Sequence, residues 1–145
     1  MDEIESFLSA DDEQEIIDSI RIAEKNTSGE IRIHIENSSK LSSIDRAKEV
    51  FHYLKMGNTK LQNGVLIYLA VEDHEFAIYG DQGINSKVKS DFWENTKDIM
   101  QDHFRNSDFK KGLIEGVKDI GKQLETYFPW HDSDVNELTN EISKG

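Results

Sequence analysis

Apolar and polar positions follow distinct rhythms along this chain. Between Glu30 and Glu36, Ile31, Ile33 and Ile35 alternate with Glu30, Arg32, His34 and Glu36. A period of two predicts a strand with one apolar and one polar face, placed at an edge or half covered. Val65 to Val71 is a continuous apolar run, the pattern of a buried strand. The acidic connection Glu72-Asp73-His74 and a second extended segment, Glu75 to Tyr79, follow it, so the pair predicts a hairpin.

Helical spacing dominates elsewhere. Ile16, Ile20 and Ala23 predict a first helix over Ala10 to Asn26, with Ser9 as N-cap and Asp11, Asp12 and Glu13 where the helix dipole favours negative charge. Ile44, Ala47, Phe51 and Leu54 predict a second over about Ser43 to Met56, with Gly57 as its natural C-cap. Trp93, Met100 and Phe104 predict a third over about Lys87 to Phe104. Leu113, Val117, Ile120, Leu124 and Tyr127 predict a fourth, from Asn106–Asp108 to Tyr127, stopped by Pro129. Gly112, Gly116 and Gly121 weaken that helix, and close approach to a neighbouring element would explain them.

The order of elements constrains topology. A strand–helix–strand crossover makes the first two strands parallel, and the hairpin makes the third antiparallel to them. One end of the sheet then gathers Glu30, the Asn58 to Asn63 loop and Asp81, and the other gathers Glu36, Glu72, Asp73 and His74.

Composition narrows the function classes. A chain of 145 residues is one domain of ordinary size, and without cysteine it has no disulfide, thiolate metal site or cysteine nucleophile. The net charge of -12 sits at the ends: residues 1–15 carry seven acids and no base, and residues 129–145 four acids and one lysine. The body is nearly balanced and no basic stripe appears, which argues against nucleic acid and against an anionic membrane surface as partners. The opening MDEIESFL has neither a basic nor a long apolar region, so no signal peptide is visible and the expected location is cytoplasmic. The expected organisation is a domain over residues 1–130 and an acidic C-terminal tail over 131–145.

Six pieces, in order, carry a family resemblance: Phe7-Leu8-Ser9-Ala10, Thr27-Ser28-Gly29-Glu30-Ile31-Arg32, Asn63-Gly64-Val65-Leu66-Ile67-Tyr68, Gly80-Asp81-Gln82-Gly83-Ile84, Asp91-Phe92-Trp93 and Tyr127-Phe128-Pro129. Together they resemble the TPM domain of thylakoid-lumen photosystem-repair proteins, and more narrowly its bacterial stand-alone form. The resemblance implies a three-layer α/β/α sandwich around a small mixed, mainly parallel sheet of about four strands. Three strands are visible in the sequence, and the fourth has no placed position. Relatives often carry a signal and a membrane anchor, from which this chain departs.

The first end of the sheet is the better candidate for a metal. Asp81 stands between Gly80 and Gln82-Gly83, and Asp91 and Glu94 follow at the expected start of the third helix. Hard cations such as Ca²⁺ take roughly six to eight oxygens from carboxylates, amides and backbone. Glu30, Thr59, Asn63, Asp81 and Asp91 offer that mixture if the two loops meet, with Glu94 beside them. The resemblance adds weight, because bound divalent cations are known in the family; Ca²⁺ is the first expectation and Mg²⁺ the second. The alternative is that Asp81 caps a turn and Asp91 a helix. Glu72-Asp73-His74 reads as a solvated hairpin tip, and no EF-hand pattern occurs.

Other chemistry is poorly supported. His34, His52, His74, His103 and His131 form no zinc-type pair, and His34 is expected at the surface. The resemblance also implies acid phosphatase activity as an alternative function. Asp132-Ser133-Asp134-Val135 superficially matches a phosphatase nucleophile motif, but it follows Pro129-Trp130 instead of ending a buried strand. Only metal-activated water would remain, with Lys60, Lys87 and Lys89 flanking the first end. A third possibility is a protein-interaction module using the acidic tail. The expectation is therefore a cation-binding domain with a structural or regulatory role and little or no phosphatase turnover.

Overall fold

The structure is a computed structural model that describes residues 7–89, 91–130 and 139–145. Its elements in chain order are α1 (Ala10–Glu24), β1 (Glu30–Glu36), α2 (Ser43–Tyr53), β2 (Gly64–Ala70), β3 (Glu75–Gly80), α3 (Gln82–Asn85), α4 (Glu94–Arg105), α5 (Phe109–Tyr127) and β4 (Ser143–Lys144). The sheet order is β3-β2-β1-β4. β1 runs parallel to β2 from Glu30↔Gly64 to Glu36↔Ala70, and β3 returns antiparallel to β2. The crossover and hairpin dictate those directions.

Strand alternation divides the core between the two sheet faces. Ile31, Ile33, Ile35, Val65, Ile67 and Leu69 pack with residues of α1, α4 and α5, among them Ile16, Ile20, Met100, Val117 and Ile120. On the opposite face Leu66, Tyr68, Ala70 and Ala77 pack with Ala47, Val50 and Phe51 of α2. The molecule is thus an α/β/α sandwich. β2 is buried at every position, which its continuous apolar run requires. Ser9 caps α1 in a capping box with Asp12.

The glycines of α5 admit neighbouring helices. A Cβ at Gly116 would lie 2.5 Å from Met100 Sδ, one at Gly112 2.5 Å from Phe104, and one at Gly121 2.8 Å from Ala23 Cβ. Helix α5 therefore packs closely between α1 and α4, at an intrinsic cost in helix propensity.

Four expectations need correction. Helix α2 ends before Gly57: Lys55 takes the left-handed conformation (φ 57), and Lys55 and Met56 donate to the carbonyls of His52 and Phe51. Met56 is fully buried, so the chain turns where that side chain must enter the core. Second, α4 starts at Glu94, not near Lys87, because residues 82–85 first form the single turn α3, and the described residues 86–89 and 91–93 lie outside any helix. Third, β1 is an interior strand, and its polar face is also buried. Fourth, the tail contributes to the sheet: β4 pairs parallel to β1 through His34↔Ser143 and Ile35↔Lys144. That pairing supplies the fourth strand. His131 and Asp132-Ser133-Asp134-Val135 lie outside the described residues, as does most of the tail's acidic charge.

Candidate functional site

At the amino-terminal end of β1 and β2, three residues form a row across the sheet. Glu30 pairs with Gly64, and the Asp81 N–H donates to the Gly64 carbonyl at 3.0 Å. Alternation sends the Glu30 and Asp81 side chains to the α2 face, on either side of Gly64. Both are buried, Glu30 at 3% and Asp81 at 8% exposure, with Thr59 and Asn63 buried as well. Glu30 N–H donates to the Asn63 carbonyl at 3.3 Å, Asn63 N–H to Thr59 Oγ1 at 3.3 Å, and Asn63 Nδ2 to Ser28 Oγ at 3.3 Å. The two loops do meet. Gly83 N–H donates to the Gln62 carbonyl at 2.8 Å, and a Cβ on Gly83 would fall 2.1 Å from the Leu61 carbonyl oxygen.

Asp81 divides its two oxygens between different roles. Oδ1 accepts from the Gln82 N–H at 2.7 Å, so Asp81 does cap a turn. Oδ2 is buried without a hydrogen-bond partner. Asp91 and Glu94 do not join this group. Both are exposed, Glu94 pairs with Lys97 at 3.7 Å, and α4 has no side-chain cap. Four of the expected ligands are thus linked and two are not. Among the described residues, no group of three or more His, Asp or Glu side chains is placed to hold one metal ion. Of the three lysines expected to flank this end, Lys60, Lys87 and Lys89, Lys87 lies over the Phe128 ring at 4.5 Å.

Sequence reasoning passed over Glu24. Its Oε2 accepts from the Ile31 N–H at 2.9 Å. Glu30 N–H serves β2, so in a parallel ladder the Ile31 N–H faces the other side, and β4 reaches only as far as His34. Glu24 satisfies that edge amide. Burial pushes its carboxyl up to about 8; the Ile31 N–H pulls it back in part, and the Glu30 charge pushes it up further. A cavity of about 450 Å³ opens here, lined by Glu24, Glu30, Ser28, Gly29 and Trp130. The available signal was an acid in a helix's last turn, where the dipole disfavours negative charge.

The carboxyl-terminal end handles its buried acid differently. Glu36 receives Arg46 Nε at 2.8 Å, Arg46 Nη2 at 2.9 Å, the Tyr68 hydroxyl at 2.5 Å and His34 Nε2 at 3.0 Å. Burial alone would raise its carboxyl, but the Arg46, Tyr68 and His34 bonds outweigh that and hold it at about 2. Burial and the Glu36 bond raise the Tyr68 hydroxyl, and burial lowers His34 despite Glu36. The surface placement expected of His34 is wrong: it is 4% exposed. Tyr68 stacks on its ring at 6.1 Å, and Ser143 of β4 meets its Nδ1 at 2.9 Å. The tip Glu72-Asp73-His74 is exposed, with Asp73 accepting the Ser39 N–H at 2.9 Å.

No helix among the described residues is long and apolar enough to cross a membrane. The family model of the TPM domain matches residues 2–123. The BA42 protein of the psychrophilic bacterium Bizionia argentinensis, solved by NMR, is 56% identical with a TM-score of 0.92, each chain covered completely. The N-terminal domain of a protein from P. gingivalis is 21% identical over 84% of this chain and 79% of that one, with a TM-score of 0.69. The N-terminal domain of the cg2496 protein of Corynebacterium glutamicum is 12% identical over 91% and 82%, with a TM-score of 0.60. These last two share the fold. No curated protein matches the chain.

Proposed function

Since the chain belongs to the TPM domain family, we propose that the amino-terminal end of its sheet binds a divalent cation, Ca²⁺ first and Mg²⁺ second, in a structural or regulatory role. One observation carries this proposal: Asp81 Oδ2 is buried without a hydrogen-bond partner, across Gly64 from the buried Glu30. A carboxylate oxygen left so costs free energy that a cation would recover. The donor types fit a hard ion: the carboxylates of Glu30 and Asp81, the Asn63 amide and the Thr59 hydroxyl, with backbone carbonyls of the two loops. Asp91 and Glu94, exposed and apart, are left out of the set. A cation here would tie the 59–63 loop to the 81–86 turn.

Calorimetric titration and thermal unfolding test this. Ca²⁺ at 100 times its dissociation constant should stabilise the fold by about 2.7 kcal/mol over EDTA. Asp81→Asn should weaken binding, and Asp73→Asn at the opposite end should not. An unchanged melting temperature in millimolar Ca²⁺, or a loss confined to Asp73→Asn, refutes the assignment.

A further inference from the structure

The carboxyl-terminal end holds three side chains in a relay. Ser143 Oγ lies 2.9 Å from His34 Nδ1, and His34 Nε2 lies 3.0 Å from Glu36 Oε1. Partners set the tautomer. Glu36 is ionised by its bonds to Arg46 and Tyr68, so it accepts, and the imidazole proton must sit on Nε2. Nδ1 then carries a lone pair, and the Ser143 hydroxyl donates to it. Nucleophile, base and orienting carboxylate therefore stand in hydrogen-bond sequence.

Topology supports the location. From β1 the chain crosses through α2 on one face to β2, and later returns from α5 on the other face to β4, on β1's far side. The carboxyl ends of β1 and β4 thus form the sheet's switch point, where open α/β sheets place ligands. Ser143 is half-buried, not sealed. A Cβ at Gly145 would stand 2.8 Å from His34 Nε2 and 2.9 Å from Glu36 Oε1, so the Gly145 backbone covers that bond and leaves Ser143 as the accessible end. Arg32, two residues before His34 on the same face, reaches the Glu141 carbonyl at 3.5 Å, two residues before Ser143 in the chain.

The geometry points to Ser143 as an activated nucleophile that takes the acyl group of small esters, with His34 as general base and Glu36 as its positioning residue. As Ser143 Oγ bonds to the carbonyl carbon, its proton moves to His34 Nδ1 and the carbonyl electron pair moves to oxygen. Collapse breaks the ester C–O bond, and the departing alcohol takes the proton from Nδ1. Water, deprotonated by Nδ1 in turn, then adds to the acyl carbon; the acyl–Oγ bond breaks, Oγ takes the proton back from Nδ1, and the acid leaves a free Ser143 hydroxyl.

The test is p-nitrophenyl acetate on the full chain in EDTA, which keeps it independent of the cation site. The expected result is an acetyl group mapped to Ser143, absent in Ser143→Ala and formed at least about 100-fold more slowly in His34→Gln. The groups facing His34 are Arg32 and Glu36 on β1, Arg46 on α2, Tyr68 on β2 and Ser143 on β4. Burial and the two arginines lower the imidazole, so wild-type acylation of Ser143 should plateau at a pH below histidine's ordinary value. This readout needs no variant to fold. Acetyl groups confined to lysines, Ser143 acylation undiminished in a folded His34→Gln, or a rate still rising log-linearly through pH 8 would overturn the proposal. p-Nitrophenyl phosphate should not be turned over, and its hydrolysis at a Ser143-dependent rate would replace acyl with phosphoryl transfer and refute the class.

Discussion

The two ends of the sheet bury acids under opposite regimes. Glu36 is surrounded by donors: Arg46 through two nitrogens, Tyr68 and His34. At the other end Glu24 keeps one backbone donor beside the charge of Glu30, and Asp81 leaves an oxygen with no donor. Burial disfavours a charged carboxyl in both places, so the outcome depends on what surrounds it. Donors favour the ionised form of Glu36, whereas their scarcity favours the protonated form of Glu24 and leaves one Asp81 oxygen unpartnered. Buried carboxyl groups are thus saturated with donors at one end and short of them at the other.

Removing Glu36 should have the largest effect. Glu36→Ala leaves Arg46 without its main partner and deprives His34 and Tyr68 of their acceptor. Breaking a buried pair costs about 3–5 kcal/mol, and partial access of Arg46 to water places this near about 3. Urea unfolding measures it. Asp81→Asn, which removes an unsatisfied charge, should cost far less in EDTA; equal losses would erase the contrast.

Gly83→Ala should come next. The clash is with backbone, the Leu61 carbonyl, so no side chain can yield. An overpacking cost of about 1–3 kcal/mol is expected, together with weaker Ca²⁺ stabilisation as the two loops separate. Gly116→Ala meets the flexible Met100 side chain and should cost less. A Gly83 variant as stable as the parent would mean that the loops are not locked together.

The remaining contrast concerns pH. The Glu24 carboxyl rises from 4.5 unfolded to about 8 folded, so the folded state holds a proton that the unfolded state has lost. Its contribution is complete below pH 4.5 and is lost as pH rises towards 8. Glu36 has the opposite sign: its folded value of about 2 gives stability above pH 4.5 that disappears as pH falls. Glu24→Gln should therefore flatten the decline in melting temperature between pH 5 and 8 and leave the acid limb intact. A decline that persists in the variant would assign it elsewhere.

Much of the fold was legible from local pattern. Ile31, Ile33 and Ile35 mark β1, the run from Val65 marks β2, and Ser9 marks the start of α1; each signal lies within a few residues and needs no distant partner. Chain order then settled the parallel and antiparallel pairings, because a short hairpin return and a helical crossover permit only those directions. The glycines of α5 announced close packing, though not that Met100, Phe104 and Ala23 would be the neighbours.

Tertiary structure decided the rest, for a common reason. Ser143 and Lys144 are too few to show a period, so β4 exists only through its pairing with β1. Burial of His34 requires Tyr68, Arg46 and Ser143, which lie between 12 and 109 positions away in sequence. Lys55 ends α2 because Met56 must enter the core. Glu24, Glu30 and Asp81 share one end because two loops meet there, while Asp91 and Glu94, close to Asp81 along the chain, point into solvent. The sequence by itself determined which elements form and how they run, since backbone periodicity and chain order are local properties. Whether a buried carboxyl favours its ionised form, favours its protonated form or keeps an unpartnered oxygen depends on donors brought from elsewhere in the chain, and only the folded structure places them.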